Sequence, residues 1–118
     1  MSELRQFTTE YKPKIIFLSE TRTIDNMTES DLCLQNYDLV RCDSHNRHTG
    51  GVALYTHNSI NVQLLEKTSS DFLWTLTVKV NSGFLCDIFT VLYRGHAAKI
   101  EHLETCIENL YEKYTFNW

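Results

Sequence analysis

Lys12-Pro13-Lys14-Ile15-Ile16-Phe17-Leu18-Ser19-Glu20 is the stretch on which the reading of this chain turns. Proline fixes its own φ and keeps the residue before it out of the α region, so any helix ahead of it ends by Lys12. Lys14–Leu18 is bulky or β-branched with no polar alternation, which predicts a strand covered on both faces in a parallel or mixed sheet. Glu20 then stands at the carboxyl end of that strand, the edge at which open α/β sheets gather functional groups. A carboxylate there can hold a hard divalent cation such as Mg²⁺, which prefers oxygen ligands and keeps several waters. It can equally cap the turn that follows or pair with Arg22, and spacing alone leaves both readings open.

On the amino-terminal side, Leu4, Phe7 and Tyr11 recur at i, i+3 and i+7 behind Ser2, an acceptable N-cap, and predict a helix over Ser2–Tyr11. On the other side, Asp25–Asp31 reads as loop or a short helical turn, and Tyr37–Cys42 as a strand. The polar, turn-rich segment 43–51 then leads into a strand at Val52–Tyr55, so the two flanks suit a hairpin. Ile60–Leu65 forms a further short strand. In Phe72–Val80, Leu73, Thr75, Thr77 and Lys79 alternate with Trp74, Leu76, Val78 and Val80, the period of a half-buried strand. Asn81-Ser82-Gly83 turns the chain back through Phe84–Tyr93, the firmest hairpin of the sequence. Finally Ile100, Leu103, Ile107, Leu110 and Tyr114 mark the core face of an amphipathic helix.

These elements describe one α/β domain, and 118 residues leave room for little more. Hydrophobic residues at 42% and charged residues at 22%, with one Pro, exclude a disordered or low-complexity chain. The formal charge of −4 lacks the broad basic field of non-specific nucleic-acid binding, so any phosphate contact has to be local. Cys33, Cys42, Cys86 and Cys106 form no CxxC pair, and without a secretory signal they are expected as free thiols rather than two disulfides. The run Ile15–Leu18 is far short of the ~20 residues that span a bilayer, and no signal-peptide core opens the chain. An intracellular protein, nuclear or cytoplasmic, with no membrane partner is expected.

Tyr93-Arg94 ends the last strand much as Glu20 ends the first. If the two strands run the same way, a phenol and a guanidinium come near the Glu20 edge, where the one can orient and the other bind a phosphate. Their alternative roles are a rim aromatic and an exposed cation. Arg47 and His48 in the polar loop could touch a phosphate backbone. His45, His48 and His57 straddle a turn with no cysteine nearby, which argues against structural zinc. Gly50-Gly51 matches neither a dinucleotide fingerprint nor a P-loop and is explained by a backbone need at the turn. No GxSxG elbow and no HExxH is present.

Taken in order, Pro13–Arg22, Tyr37–Asp43 leading through Arg47-His48-Thr49-Gly50-Gly51 into Val52–Tyr55, and Phe89–Arg94 resemble the apurinic-type endonuclease domain of non-LTR retrotransposons, a branch of the endonuclease/exonuclease/phosphatase superfamily. The resemblance covers about residues 4 to 114. It implies a two-sheet α/β sandwich, with a mixed sheet and flanking helices, that hydrolyses a DNA phosphodiester with Mg²⁺ and water. By position, Glu20 matches the family's metal-binding glutamate and Tyr93 its active-site tyrosine, while Arg47, His48 and Arg94 stay candidates for substrate binding on their own chemistry. The proline common after that tyrosine and arginine is replaced by Gly95-His96-Ala97.

The family also has an initial strand bearing an active-site Asn, and later Asp-x-Asn and Ser-Asp-His segments that supply further ligands and the catalytic histidine. None of these occurs in the 118 residues. The expectation is therefore a single partial domain over residues 1–118, lacking the first strand and the carboxy-terminal part. It would be a fragment of a retrotransposon-derived, Mg²⁺-dependent DNA endonuclease that does not cleave by itself, since one carboxylate neither fixes an octahedral ion nor activates a water. DNA is the partner in the full-length family. The rival expectation is a non-catalytic α/β interaction module that uses an uncovered sheet face against a protein partner or a second copy.

Overall fold

The computed structural model describes residues 2–19, 21, 32–43, 50–70, 72–83, 86–96 and 98–115. Helix α1 (Ser2–Tyr11) is followed by β1 (Ile15–Ser19), β2 (Tyr37–Cys42), β3 (Val52–His57), β4 (Asn61–Ser70), β5 (Leu73–Asn81), β6 (Cys86–Arg94) and helix α2 (Ile100–Thr115). The strands make two three-stranded sheets, ordered β1-β3-β2 and β4-β5-β6. They stack face to face on Cys42, Val52, Leu54, Trp74, Leu76, Val78 and Val80, with Ile15, Val40, Val62, Phe89, Val91 and Tyr93 packed around them. The two-sheet α/β architecture expected from the sequence is the one observed. Among the described residues, no helix is long and apolar enough to cross a membrane.

The mixed sheet is not: all four described pairings are antiparallel. Both hairpins form as expected, β2 with β3 and β5 with β6. β1, read as covered on both faces, is an edge strand. Its outer side chains Ile16 and Leu18 are half-buried, and Phe17, on the inner face, remains 41% exposed against Phe89 of β6 at 6.1 Å. A short apolar run cannot distinguish a central strand from an edge strand whose two faces are each partly covered.

β5 departs the other way. Thr75 and Thr77, placed on a solvent face by the alternation, are buried, Thr75 in a cleft shared with α2, and their hydroxyls share hydrogen bonds with Thr68 at 2.6 Å and Thr90 at 2.8 Å. A hydroxyl with a partner can be buried at little cost, so the polar half of the alternation did not mean exposure.

The β4 strand outruns its predicted end at Leu65. A register shift between Leu64 and Glu66 inserts one residue, and one inserted residue swaps the faces of everything after it. Before the shift Val62 faces the core opposite Val80. After it Glu66 and Thr68 lie opposite Thr77 and Thr75 on the outer face, where Lys113 of α2 pairs with Glu66.

Both helices are turned from the orientation that their apolar spacing predicts. In α1, Thr8 is the buried residue, while Phe7 and Tyr11 are 45% and 65% exposed and stack on each other at 5.0 Å. Thr8 Oγ1 donates to the Arg5 carbonyl at 2.9 Å, which satisfies the hydroxyl inside its own helix and lets it face inward. In α2, the half-buried residues are Leu103, Cys106, Leu110 and Tyr114, and Ile100 and Ile107 are exposed. The Glu66–Lys113 pair ties the end of that helix to β4. All four cysteines are free, with Cys42 buried and its Sγ donating to the Thr68 carbonyl at 3.3 Å.

Candidate active-site rim

The sandwich has two ends. At one, β1 and β6 finish and β3 and β5 begin, which gathers Ser19, Thr21, Gly50, Gly51, Trp74 and Tyr93. The backbone N–H of Thr21 donates to the Gly51 carbonyl at 3.2 Å, continuing the β1–β3 ladder past Ser19↔Val52. Gly50 and Gly51 both have φ near +90°, a conformation that L side chains rarely adopt. A Cβ on Gly50 would lie 2.2 Å from the Trp74 ring, so only glycine lets that ring close against the backbone. On its other side Trp74 meets the Tyr93 ring at 5.9 Å, its direct cross-strand partner. Gly95, hydrogen-bonded through its N–H to the Phe72 carbonyl at 2.8 Å, leaves room behind the same indole.

A continuous set of contacts thus runs from the carboxyl end of β1 through the glycine pair and Trp74 to Tyr93. Phe17 against Phe89 fixes the same relation one turn of pleat earlier, so β1 and β6 point the same way although they belong to different sheets. Tyr93 lies half-buried at the margin of the core. Arg94, one residue on, projects from the opposite face of its sheet, as strand geometry demands. There its Nη1 donates to the Ala98 carbonyl at 3.2 Å and braces the turn into α2. The phenol and the guanidinium, adjacent in sequence, are therefore not side by side in space.

Glu20, Arg47 and His48, with Arg22 and His45, lie outside the described residues. The flanking residues Ser19 and Thr21 are described. The described side chains at this end offer a phenol, hydroxyls and one carboxylate, Asp43 just past β2, which pairs with Arg41 Nε at 3.3 Å; among the described residues no three His, Cys, Asp or Glu side chains converge. They do not by themselves fit a Mg²⁺ shell. His57, weighed as a metal ligand, sits at the other end of β3 and is hydrogen-bonded to Ser59.

The sequence implies a backbone role for Gly50 without revealing its partner. Trp74 was legible only as one position in an alternating strand, because nothing local links residue 74 to residue 50. The signal available was coarse: a large aromatic at the start of a buried strand and a double glycine at the start of another need each other's space.

No protein-family model matches the chain, and no curated protein matches it. Among solved structures it is similar to the catalytic domain of human nocturnin with a bound sulfate anion, at 14% identity and a TM-score of 0.55, over 95% of this chain and 52% of that one. That likeness shows the fold, an α/β sandwich of the endonuclease/exonuclease/phosphatase type. The chain spans about half the length of the structure it matches.

Proposed function

We propose that this chain carries part of the framework of a phosphodiester-cleaving nuclease related to the endonucleases of non-LTR retrotransposons, and that it does not cleave DNA alone. The observation that supports this reading most is the contact path from Thr21 through Gly51, Gly50 and Trp74 to Tyr93, because it brings the strand end that bears Glu20 to the same rim as the phenol. In this reading Glu20 is the acid of the rim and Tyr93 a hydrogen-bond donor to a non-bridging phosphate oxygen. Arg47 and His48 approach the nucleic-acid backbone, and Arg94 supports the turn beneath. The nocturnin domain holds a sulfate, whose tetrahedral oxygens have the shape of a phosphate.

The same chemistry argues against turnover. A single carboxylate leaves a Mg²⁺ ion mostly hydrated and unfixed, and Asp43, the described carboxylate at this end, is engaged by the Arg41 guanidinium at 3.3 Å. The test is nicking of supercoiled plasmid DNA in Mg²⁺, for the wild type and for Glu20→Ala. No nicking above background is expected from either; turnover that Glu20→Ala removes would overturn the claim of inactivity while supporting the site.

A second reading is favoured by a separate observation. The stacked Phe7–Tyr11 pair on α1 and Ile107 with Tyr111 on α2 turn apolar surface outward on both helices, which suits an interaction module. Light scattering coupled to size exclusion distinguishes the two: a stable dimer that Phe7→Ser with Tyr11→Ser dissolves supports the module, and a monomer opposes self-association.

A further inference from the structure

We infer that the end of the sandwich opposite Tyr93 carries an anion site, built for a phosphate group on a ligand of nucleotide size. A cavity of about 640 Å³ lies there, lined by one face of α1 (Arg5, Thr8, Thr9, Lys12) and by Gln35, Asn36, Tyr37 and His57. Small-molecule sites range over about 300–1,000 Å³, so the volume is that of a ligand rather than of a few waters. Arg5 lies on α1 and Lys12 just past its end, and none of the described lining residues is an acid. In a chain with 15 acidic and 11 basic residues, a cavity lined by two cations, with no acid among its described lining residues, is a local reversal of sign.

The hydrogen bonds of His57 fix which of its ring nitrogens can serve a ligand. Lys14 Nζ lies 3.1 Å from Ser59 Oγ, and both the Ser59 hydroxyl (2.8 Å) and the Ser59 backbone N–H (3.1 Å) contact His57 Nδ1. Nδ1 is therefore an acceptor, which leaves the proton of the neutral imidazole on Nε2. His57 thus offers a donor to a cavity that a guanidinium and an ammonium also line, each of them suited to an oxyanion. The walls are tied in place: Tyr37 donates its hydroxyl to the Pro13 carbonyl, Asn58 N–H to Asn36 at 2.9 Å, and His57 N–H to Lys14 at 2.8 Å.

Lys12 adds an independent sign. It closes α1 with φ of +51°, a position where glycine or asparagine is ordinarily found, and its ammonium has no protein partner among the described residues. The conformation caps the helix, with the Lys12 N–H donating to the Thr8 carbonyl at 3.1 Å, and leaves the exposed ammonium at the cavity mouth where an anion can reach it. This site is remote from the Tyr93 rim and does not depend on the nuclease reading.

The test is NMR titration of the whole chain with inorganic phosphate, adenosine 5′-monophosphate, adenosine, and a short single-stranded oligonucleotide with and without a 5′-phosphate. Saturable shifts of the Thr9, Lys12, Asn36 and His57 amides are expected with the phosphate-bearing probes and not with adenosine. Inorganic phosphate alone among them would identify a free-ion site, the mononucleotide a nucleotide site, and the phosphorylated oligonucleotide a strand-end site. Lys12→Asn removes the charge while suiting the backbone, so the fold is retained, and affinity should fall by about tenfold, as for loss of one charge-assisted hydrogen bond. No saturable shift with any probe at millimolar concentration, or unchanged affinity in Lys12→Asn with its fold intact, overturns the inference.

Discussion

The two ends of the sandwich are held by different forces. At the Tyr93 end, Trp74 is buried between a glycine backbone and a phenol ring, and atoms fill the space so fully that one added carbon would collide at 2.2 Å. At the other end the side chains keep apart around a cavity of about 640 Å³, with Arg5, Lys12 and His57 at its walls. Close packing positions groups through shape and tolerates no change of volume. A cation-lined cavity tolerates substitution sterically but not electrostatically. The first end is thus the more sensitive to stability, and the second to charge.

The largest expected effect tests the packed end. Gly50→Ala should destabilise the fold by about 2–4 kcal/mol in urea unfolding, from overpacking against Trp74 added to the cost of a side chain at positive φ. Gly83→Ala is its counterpart in the β5–β6 turn at the cavity end. It has the same φ near +90° but no atom within 4 Å of the added carbon, so only backbone strain of about 1 kcal/mol should appear. Equal losses at both positions would break the comparison, since the indole contact would then count for nothing.

Next in size, Lys12→Asn at the cavity end should raise stability by about 0.5–1 kcal/mol without ligand, because asparagine accepts the left-handed conformation that lysine resists. A loss of stability on that substitution would mean that the lysine serves the fold rather than a ligand. The smallest effect belongs to α2. Glu66 holds the Lys113 ammonium above the usual lysine range through a hydrogen bond and its charge. A raised folded-state pKa gives stability that is fully present below the unfolded lysine value and lost as pH rises through the folded one. Lys113→Gln should therefore unfold measurably earlier than wild type at neutral pH, by a small margin for so exposed a group, and the difference should vanish in strongly alkaline buffer.

Much of the fold was legible because its signals are local. The Pro13 stop, the turn at Asn81-Ser82-Gly83 and the polar approach to Val52 all act through φ, ψ and neighbouring side chains, so α1, both hairpins and α2 appear within a residue or two of their predicted bounds. What misled were inferences about which face is covered. Leu4, Phe7 and Tyr11 mark an apolar stripe without saying what stands opposite, and Thr75 and Thr77 look solvent-facing until Thr68 and Thr90 supply their hydrogen bonds. At the candidate rim, Tyr93 and the strand end at Ser19 could be matched in order along the chain. The cavity was not seen, although Arg5, Thr8, Thr9 and Lys12 have helical spacing, because the walls at Asn36 and His57 come from distant segments.

The sequence by itself determined where the chain turns, which segments become strands and helices, and that an acid follows the first strand and a tyrosine closes the last. These follow from backbone sterics and side-chain periodicity over a few residues. Only the tertiary structure decided that the sheets are antiparallel, that the inserted residue in β4 sends Glu66 toward α2, and that Trp74 finds its space on Gly50. Those outcomes depend on volume, register and charge between residues far apart in the chain, quantities that no local pattern contains.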